Sequence, residues 1–135
     1  MILGVDPGAR RVGLALGDEA AGVAVPLEVI DVDAVDPVAR IARVVDERGI
    51  GVVVVGRPVG LAGKEGPAVV AQRKLVERLR ARLDVDVTEY DERLTTVAAE
   101  RSLRASGAPR SARRKVIDAL AAQTMLQGFL DARRA

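Results

Sequence analysis

The chain has 135 residues, a 49% hydrophobic fraction and a net charge of +2 from 21 basic and 19 acidic side chains, which bounds it as one globular domain over 1–135 rather than a disordered chain. It contains no cysteine and no histidine. Disulfides, thiolate and imidazole metal sites and His-dependent triads are therefore excluded, and catalysis falls to carboxylates, Lys, Arg, Tyr, hydroxyls or a bound metal. No apolar stretch reaches the length of a membrane span and no basic n-region precedes a long apolar run, so a cytoplasmic location is expected.

The first third reads as a β-meander. Ile2 to Asp6 and Val12 to Leu16 are short apolar strands joined through Pro7-Gly8. A third strand alternates Val23, Val25, Leu27 and Val29, with Pro26 marking an edge or bulge position. A helix follows with Asp36 as N-cap, Pro37 at its first position and Gly49 just past its end; its apolar stripe is Val38, Ile41, Val44 and Val45. The unbroken run Gly51-Val52-Val53-Val54-Val55 is how a strand buried on both faces looks. Strand, helix, strand makes a parallel crossover unit.

The Gly-rich stretch from Gly56 to Pro67 is either a plain connector or a substrate-facing lid. Pro67 to Leu83 predicts a helix burying Val69, Val76, Leu79 and Leu83 and exposing Arg73, Lys74, Arg78 and Arg80. Val85 to Tyr90 is a further strand ending in Asp91-Glu92. Thr95 or Thr96 caps another helix ending at Gly107, residues 107–110 form a basic linker, and Ser111 caps a last helix to about Ala132. The order βββαβαβαα gives an α/β fold, a mixed five-stranded sheet with three antiparallel strands first, parallel strands after, and flanking helices. In such sheets the functional crevice lies beyond the carboxyl ends of the parallel strands.

Charge is unevenly distributed. From Arg101 onward eight basic residues face two acids, whereas residues 1–71 hold seven basic and ten acidic residues. A basic region of this kind is the footprint of phosphate contact or, more plainly, a solvated helix face. Tyr90 and Phe129 are the only aromatics, so a base-stacking platform for single strands is disfavoured and backbone and shape would carry recognition of a nucleic acid.

Three segments can bring acids to one place. Asp6 ends the first strand, where it is either turn chemistry or a cation ligand. Asp91-Glu92 ends the last strand. Asp118 stands beside the apolar side of the final helix, which counts through Ala121, Ala122, Met125 and Phe129. An acid there requires a partner. Arg114, four residues earlier, would serve, and so would a metal. Converging carboxylates without His or Cys suit Mg²⁺ or Mn²⁺, and a pair of such ions can hydrolyse a phosphodiester without a protein nucleophile. Asp18 and Glu65 are weaker candidates for a fourth acid.

The segments Gly4-Val5-Asp6-Pro7-Gly8-Ala9-Arg10-Arg11-Val12-Gly13-Leu14-Ala15, Asp91-Glu92-Arg93-Leu94-Thr95-Thr96 and Lys115-Val116-Ile117-Asp118-Ala119-Leu120-Ala121-Ala122, with Leu126-Gln127 after the last, resemble the three ordered motifs of the YqgF/RuvX family. The family is described both as Holliday junction resolvases and as pre-16S rRNA nucleases, with a ribonuclease H-like fold. The resemblance spans essentially the whole chain. It implies a metal-dependent endonuclease with Asp6, Glu92 and Asp118 as catalytic and metal-binding acids and Asp91 as a less certain neighbour. Gly56-Arg57-Pro58 and Gly63-Lys64-Glu65-Gly66-Pro67 fit the family pattern. Gly60-Leu61-Ala62 departs from a polar stretch, and Gly17 stands where the family often has Ser.

Arg10, Arg11 and Arg93 neighbour the acids and could hold the scissile phosphate, although Arg93 could equally pair with Asp91. Arg110, Arg113, Arg114 and Lys115 could grip flanking backbone. The expected substrate is structured nucleic acid, with 5′-end maturation of precursor 16S rRNA in ribosome biogenesis placed first and resolution of branched DNA second. A non-catalytic RNA-binding assembly or transcription factor, its acids only structural, is the competing class. A homodimer stays open, since no heptad or exposed apolar stripe marks an interface.

Overall fold

In the computed structural model, the described residues are 1–58, 66–91 and 110–134, with the side chains of 117–133 in the last segment. The elements are β1 (Ile2–Pro7), β2 (Arg11–Asp18), β3 (Val23–Asp31), α1 (Pro37–Arg48), β4 (Val52–Arg57), α2 (Pro67–Arg82), β5 (Asp86–Asp91) and α3 (Arg110–Arg134). The helix expected between Thr95 or Thr96 and Gly107 lies outside the described residues, as do positions 59–65 of the Gly-rich stretch. The last helix begins at Arg110, so Ser111 stands inside its first turn rather than at its cap.

One mixed sheet has the strand order β3-β2-β1-β4-β5. β1 pairs antiparallel with β2 and β2 with β3, whereas β4 runs parallel to both β1 and β5. Alternation along each strand sends side chains to two different layers. Leu3, Val5, Val12, Leu14, Val53 and Val55 meet α1 and α2 on one face. Ile2, Ala15, Ala24 and Val54 meet Ala122, Met125, Leu126 and Leu130 of α3 on the other. Val53, Val54 and Val55 are all buried because both faces of β4 are covered.

α1 forms where local chemistry directs it. The Asp36 side chain accepts from the Val38 N–H, Pro37 opens the helix, and Gly49 closes it at φ 61°; such an N-cap is worth about 1 kcal/mol. The stripe Val38, Ile41, Val44 and Val45 is buried as expected. In α2 the buried set is Gln72, Leu75, Val76 and Leu79, with Val69 and Leu83 only half-buried. Gln72 escapes a search for apolar periodicity because it is polar, and its amide donates to Glu89 Oε1 on β5 at 2.7 Å. Arg73, Lys74, Arg78 and Arg80 are exposed as expected.

β3 departs from its expected pattern. Val23 and Val25 are exposed, while Ala24 and Ile30 are buried. Leu14 pairs with Glu28 but Ala15 pairs with Pro26, so Leu27 is an extra residue that reverses the alternation. Ala24 thus faces α3 before the bulge, and Ile30 faces α1 after it. Pro26 sits, as expected of it, beside a bulge on an edge strand.

Candidate active site

The face under α3 is paved with small residues. An added Cβ at Gly4 would stand 2.9 Å from Leu126 Cβ, and one at Gly17 would stand 3.0 Å and 3.2 Å from the Leu126 and Leu130 methyls. Gly4 and Gly17 thus let Leu126 pack close to the sheet. At Gly13 an added Cβ would collide with the main-chain carbonyl of Asp118 and reach 3.3 Å from Ala122 Cβ. α3 thus rests its Asp118 turn directly on β2.

This contact brings two expected acids together. Asp6 pairs with Gly13 across the β1–β2 ladder, which sets their Cα atoms about 4.5–5.5 Å apart. Asp6 is even-numbered on β1, like Ile2 and Gly4, and so faces α3. Asp118 consequently lies one strand over from Asp6 on the same face, at the carboxyl end of β1. Both residues are partly buried.

Asp118 finds its cation on the sheet. Arg11 Nε donates to Asp118 Oδ2 at 2.5 Å, with the side chains 33% and 26% exposed. Arg11 opens β2 two residues from Gly13, on the face that α3 covers. The sequence offered Arg114 as the local partner; the side chain of Arg114 lies outside the described set. Arg10 is exposed on the turn before β2, and its carbonyl accepts from the Val32 N–H.

The end of β5 separates the two neighbouring acids by face. Thr88 and Tyr90 alternate with Val87, which packs into the α1/α2 layer, while Tyr90 packs with α3. Tyr90 meets Phe129 edge-on at 5.8 Å, and Arg133 lies over the Phe129 ring at 5.2 Å. Asp91, in register with Arg57, therefore belongs to the face opposite Asp6. Glu92 and Arg93 lie outside the described residues, as do the side chains of Arg110, Arg113 and Lys115. Among the described residues no three acidic, His or Cys side chains group closely enough to hold a metal ion.

Asp18 is removed from the fourth-ligand candidates. It sits five residues from Gly13 along β2, about 17 Å away at strand rise. There it caps a turn, accepting from the Ala20 N–H at 2.9 Å. Glu65 lies outside the described residues.

The way α3 is fastened to the sheet edge was not legible in the sequence. Gln127 Oε1 accepts from the Ala24 N–H at 2.9 Å, and its amide donates to the Gly22 carbonyl at 2.8 Å. Gln123 donates to the Ala24 carbonyl at 3.1 Å. Two Gln residues four apart on a helix were the available signal. Their bonds satisfy main-chain groups of Ala24 on edge strand β3 and of Gly22 just before it, and so tie α3 to that edge.

A mixed sheet of this order, with a carboxylate at the end of its first strand and another on the covering helix, defines a ribonuclease H-like nuclease fold. Solved structures agree at the level of fold: T. thermophilus RuvC in complex with Holliday junction substrate superposes with a TM-score of 0.58 at 20% identity, covering 99% of this chain and 95% of that one. Fowlpox virus resolvase, solved with substrate Holliday junction DNA, superposes at 0.64 and 12%, covering 99% of each chain. The family model for RuvX, described as Holliday junction resolvase, matches residues 1–132, and the chain belongs to that family. A protein of Chloroflexus aggregans named "Putative pre-16S rRNA nuclease" is 45% identical over 134 residues, 98% of this chain and 94% of its own. A Geobacillus kaustophilus protein of the same name is 39% identical, covering 98% of each. The class of activity is that of a nuclease. Among the described residues no helix is long and apolar enough to cross a membrane.

Proposed function

We propose that the chain is a metal-dependent endonuclease that cleaves precursor 16S rRNA near its 5′ end during ribosome biogenesis in the cytoplasm, with Asp6, Glu92 and Asp118 as its acidic cluster. The observation that carries this reading is the seating of Asp118 on Gly13, opposite Asp6. It joins carboxylates from the two ends of the chain on one sheet face. Asp91 belongs to the face opposite Asp6, so the other acid of that motif, Glu92, is the one proposed. A set of hard oxygen donors with no nitrogen or sulfur competitor fits Mg²⁺ or Mn²⁺. Bound there, such a cation, singly or as a pair, would supply activation of water and charge stabilisation at the leaving oxygen.

The protein's own part is placement. Asp6 is held by its ladder with β2, and Asp118 by its helix seated on Gly13, so neither must be ordered at the moment of reaction. Arg10, Arg11 and Arg93 would orient the scissile phosphate. Arg110, Arg113, Arg114 and Lys115 would hold flanking phosphates, giving affinity that falls with salt.

The rRNA substrate rests on the names of relatives at 39–45% identity. Junction resolution is the second reading, favoured by the description of the family itself. Incubating the purified chain with labelled precursor 16S rRNA and with a four-way DNA junction, in Mg²⁺, Mn²⁺ or EDTA, separates them. Metal-dependent cleavage of the RNA alone is expected. Cleavage of the junction alone would transfer the function to DNA, and binding of RNA without cleavage under any metal would favour the assembly factor.

A further inference from the structure

We propose that Arg11 is a stand-in for the metal: it neutralises Asp118 in the metal-free chain, competes with the cation for that carboxylate, and is released toward substrate phosphate when the cation binds. This rests on the reading of Asp118 as a metal ligand.

The positions of the two residues come from independent elements. Arg11 is pinned at the start of β2, its backbone paired with Asp31 on one side, and its side chain shares the α3 face with Gly13. Asp118 is pinned from above by the close approach of its main chain to Gly13. Nε of Arg11 meets Oδ2 of Asp118, so a carboxylate beside the apolar stripe of α3 is neutralised without an ion.

A divalent cation cannot share that carboxylate with a guanidinium at no cost, because two like charges about 4 Å apart repel even at a partly solvated site. Arrival of the cation therefore weakens the Arg11 bond. The freed guanidinium then lies diagonally across the ladder from Asp6, about 7–8 Å in backbone terms. A phosphate drawn to the acids would pass there, and Arg grips phosphate in bidentate fashion. Arg11 is thus a positioning residue whose partner alternates between carboxylate and phosphate.

The test is calorimetric titration of the full chain with Mn²⁺ and with Mg²⁺, without nucleic acid, together with melting of the metal-free protein. Arg11→Gln is expected to melt lower than wild type without metal and to bind Mn²⁺ about two- to fivefold more tightly, the range implied by a partly exposed ion pair. Arg11→Lys keeps the charge and should move the dissociation constant less. If Arg11→Gln does not fold without metal, Arg11→Met, which retains the aliphatic stem, should show the same sign. Unchanged or weaker metal binding in the Arg11 variants, with binding still lost in Asp118→Asn, would overturn the competition while leaving the metal site standing. Wild-type affinity in both Asp6→Asn and Asp118→Asn would instead overturn the metal reading on which it rests.

Discussion

Gly13→Ala is the smallest change that should separate folding from catalysis in this protein. The new methyl group would collide with the Asp118 carbonyl oxygen and approach the carbonyl carbon to 3.1 Å and Ala122 Cβ to 3.3 Å. Main-chain atoms cannot rotate away as a side-chain tip can, so α3 must lift. Restoring an ordinary contact needs a displacement on the order of 1 Å. Overpacking of this kind costs about 1–3 kcal/mol, which a nuclease-fold domain can survive. Misplacing a reacting group by 1 Å, however, lowers rate by about 100-fold. Urea denaturation and a single-turnover cleavage assay on the same preparation measure the two effects. Gly51→Ala is the control, since its added Cβ meets nothing within 4 Å. A Gly13→Ala protein with wild-type cleavage, or one whose activity falls only in proportion to its folded fraction, would refute the claim that this contact positions Asp118.

Other expectations follow from the packing. Leu126→Ala removes a fully buried side chain over Gly4 and Gly17 and should cost about 2–5 kcal/mol in urea unfolding. Gln127→Leu strands the Ala24 N–H and Gly22 carbonyl; a loss of about 1–3 kcal/mol is expected, with faster hydrogen exchange at Ala24. The carboxyl of Asp36 is held below its ordinary range chiefly by the hydrogen bond from Arg78; burial opposes this, and the Val38 N–H, the charge of Arg78 and the Ala39 N–H each lower it further. A depressed folded pKa contributes stability above the unfolded value, lost as pH falls through the folded one. Arg78→Gln should therefore be less stable than wild type near neutrality, with the difference closing in acid. A gap that persisted or widened in acid would assign the effect of Arg78 to packing.

Local chemistry made much of the fold legible. Asp36, Pro37 and Gly49 mark the ends of α1 because capping and the left-handed turn depend on single residues. The valine run of β4 declares burial on both faces. In β3, Pro26 announces an edge or bulge, but nothing in the sequence says that Leu27 is the inserted residue that reverses the phase of the strand. Gln72 hid in α2 because its partner Glu89 comes from another element. At the site, Asp6 and Asp118 could be picked out by their places on strand and helix. Their meeting through Gly13 could not, since it depends on how closely α3 approaches the sheet over Gly4, Gly13 and Gly17. Arg11 was legible as a cation near the acids, but its bond to Asp118 spans nearly the whole chain.

The proposed chemistry depends most on Asp6 and Asp118 acting together through a bound cation. Single-turnover cleavage of precursor 16S rRNA across an Mg²⁺ titration, comparing wild type with Asp6→Asn, tests this directly, with circular dichroism confirming that both are folded. Metal-dependent cleavage by wild type is expected, with a loss of about 100-fold or more in the folded variant. Cleavage by Asp6→Asn at the wild-type rate and with the wild-type metal dependence would contradict it.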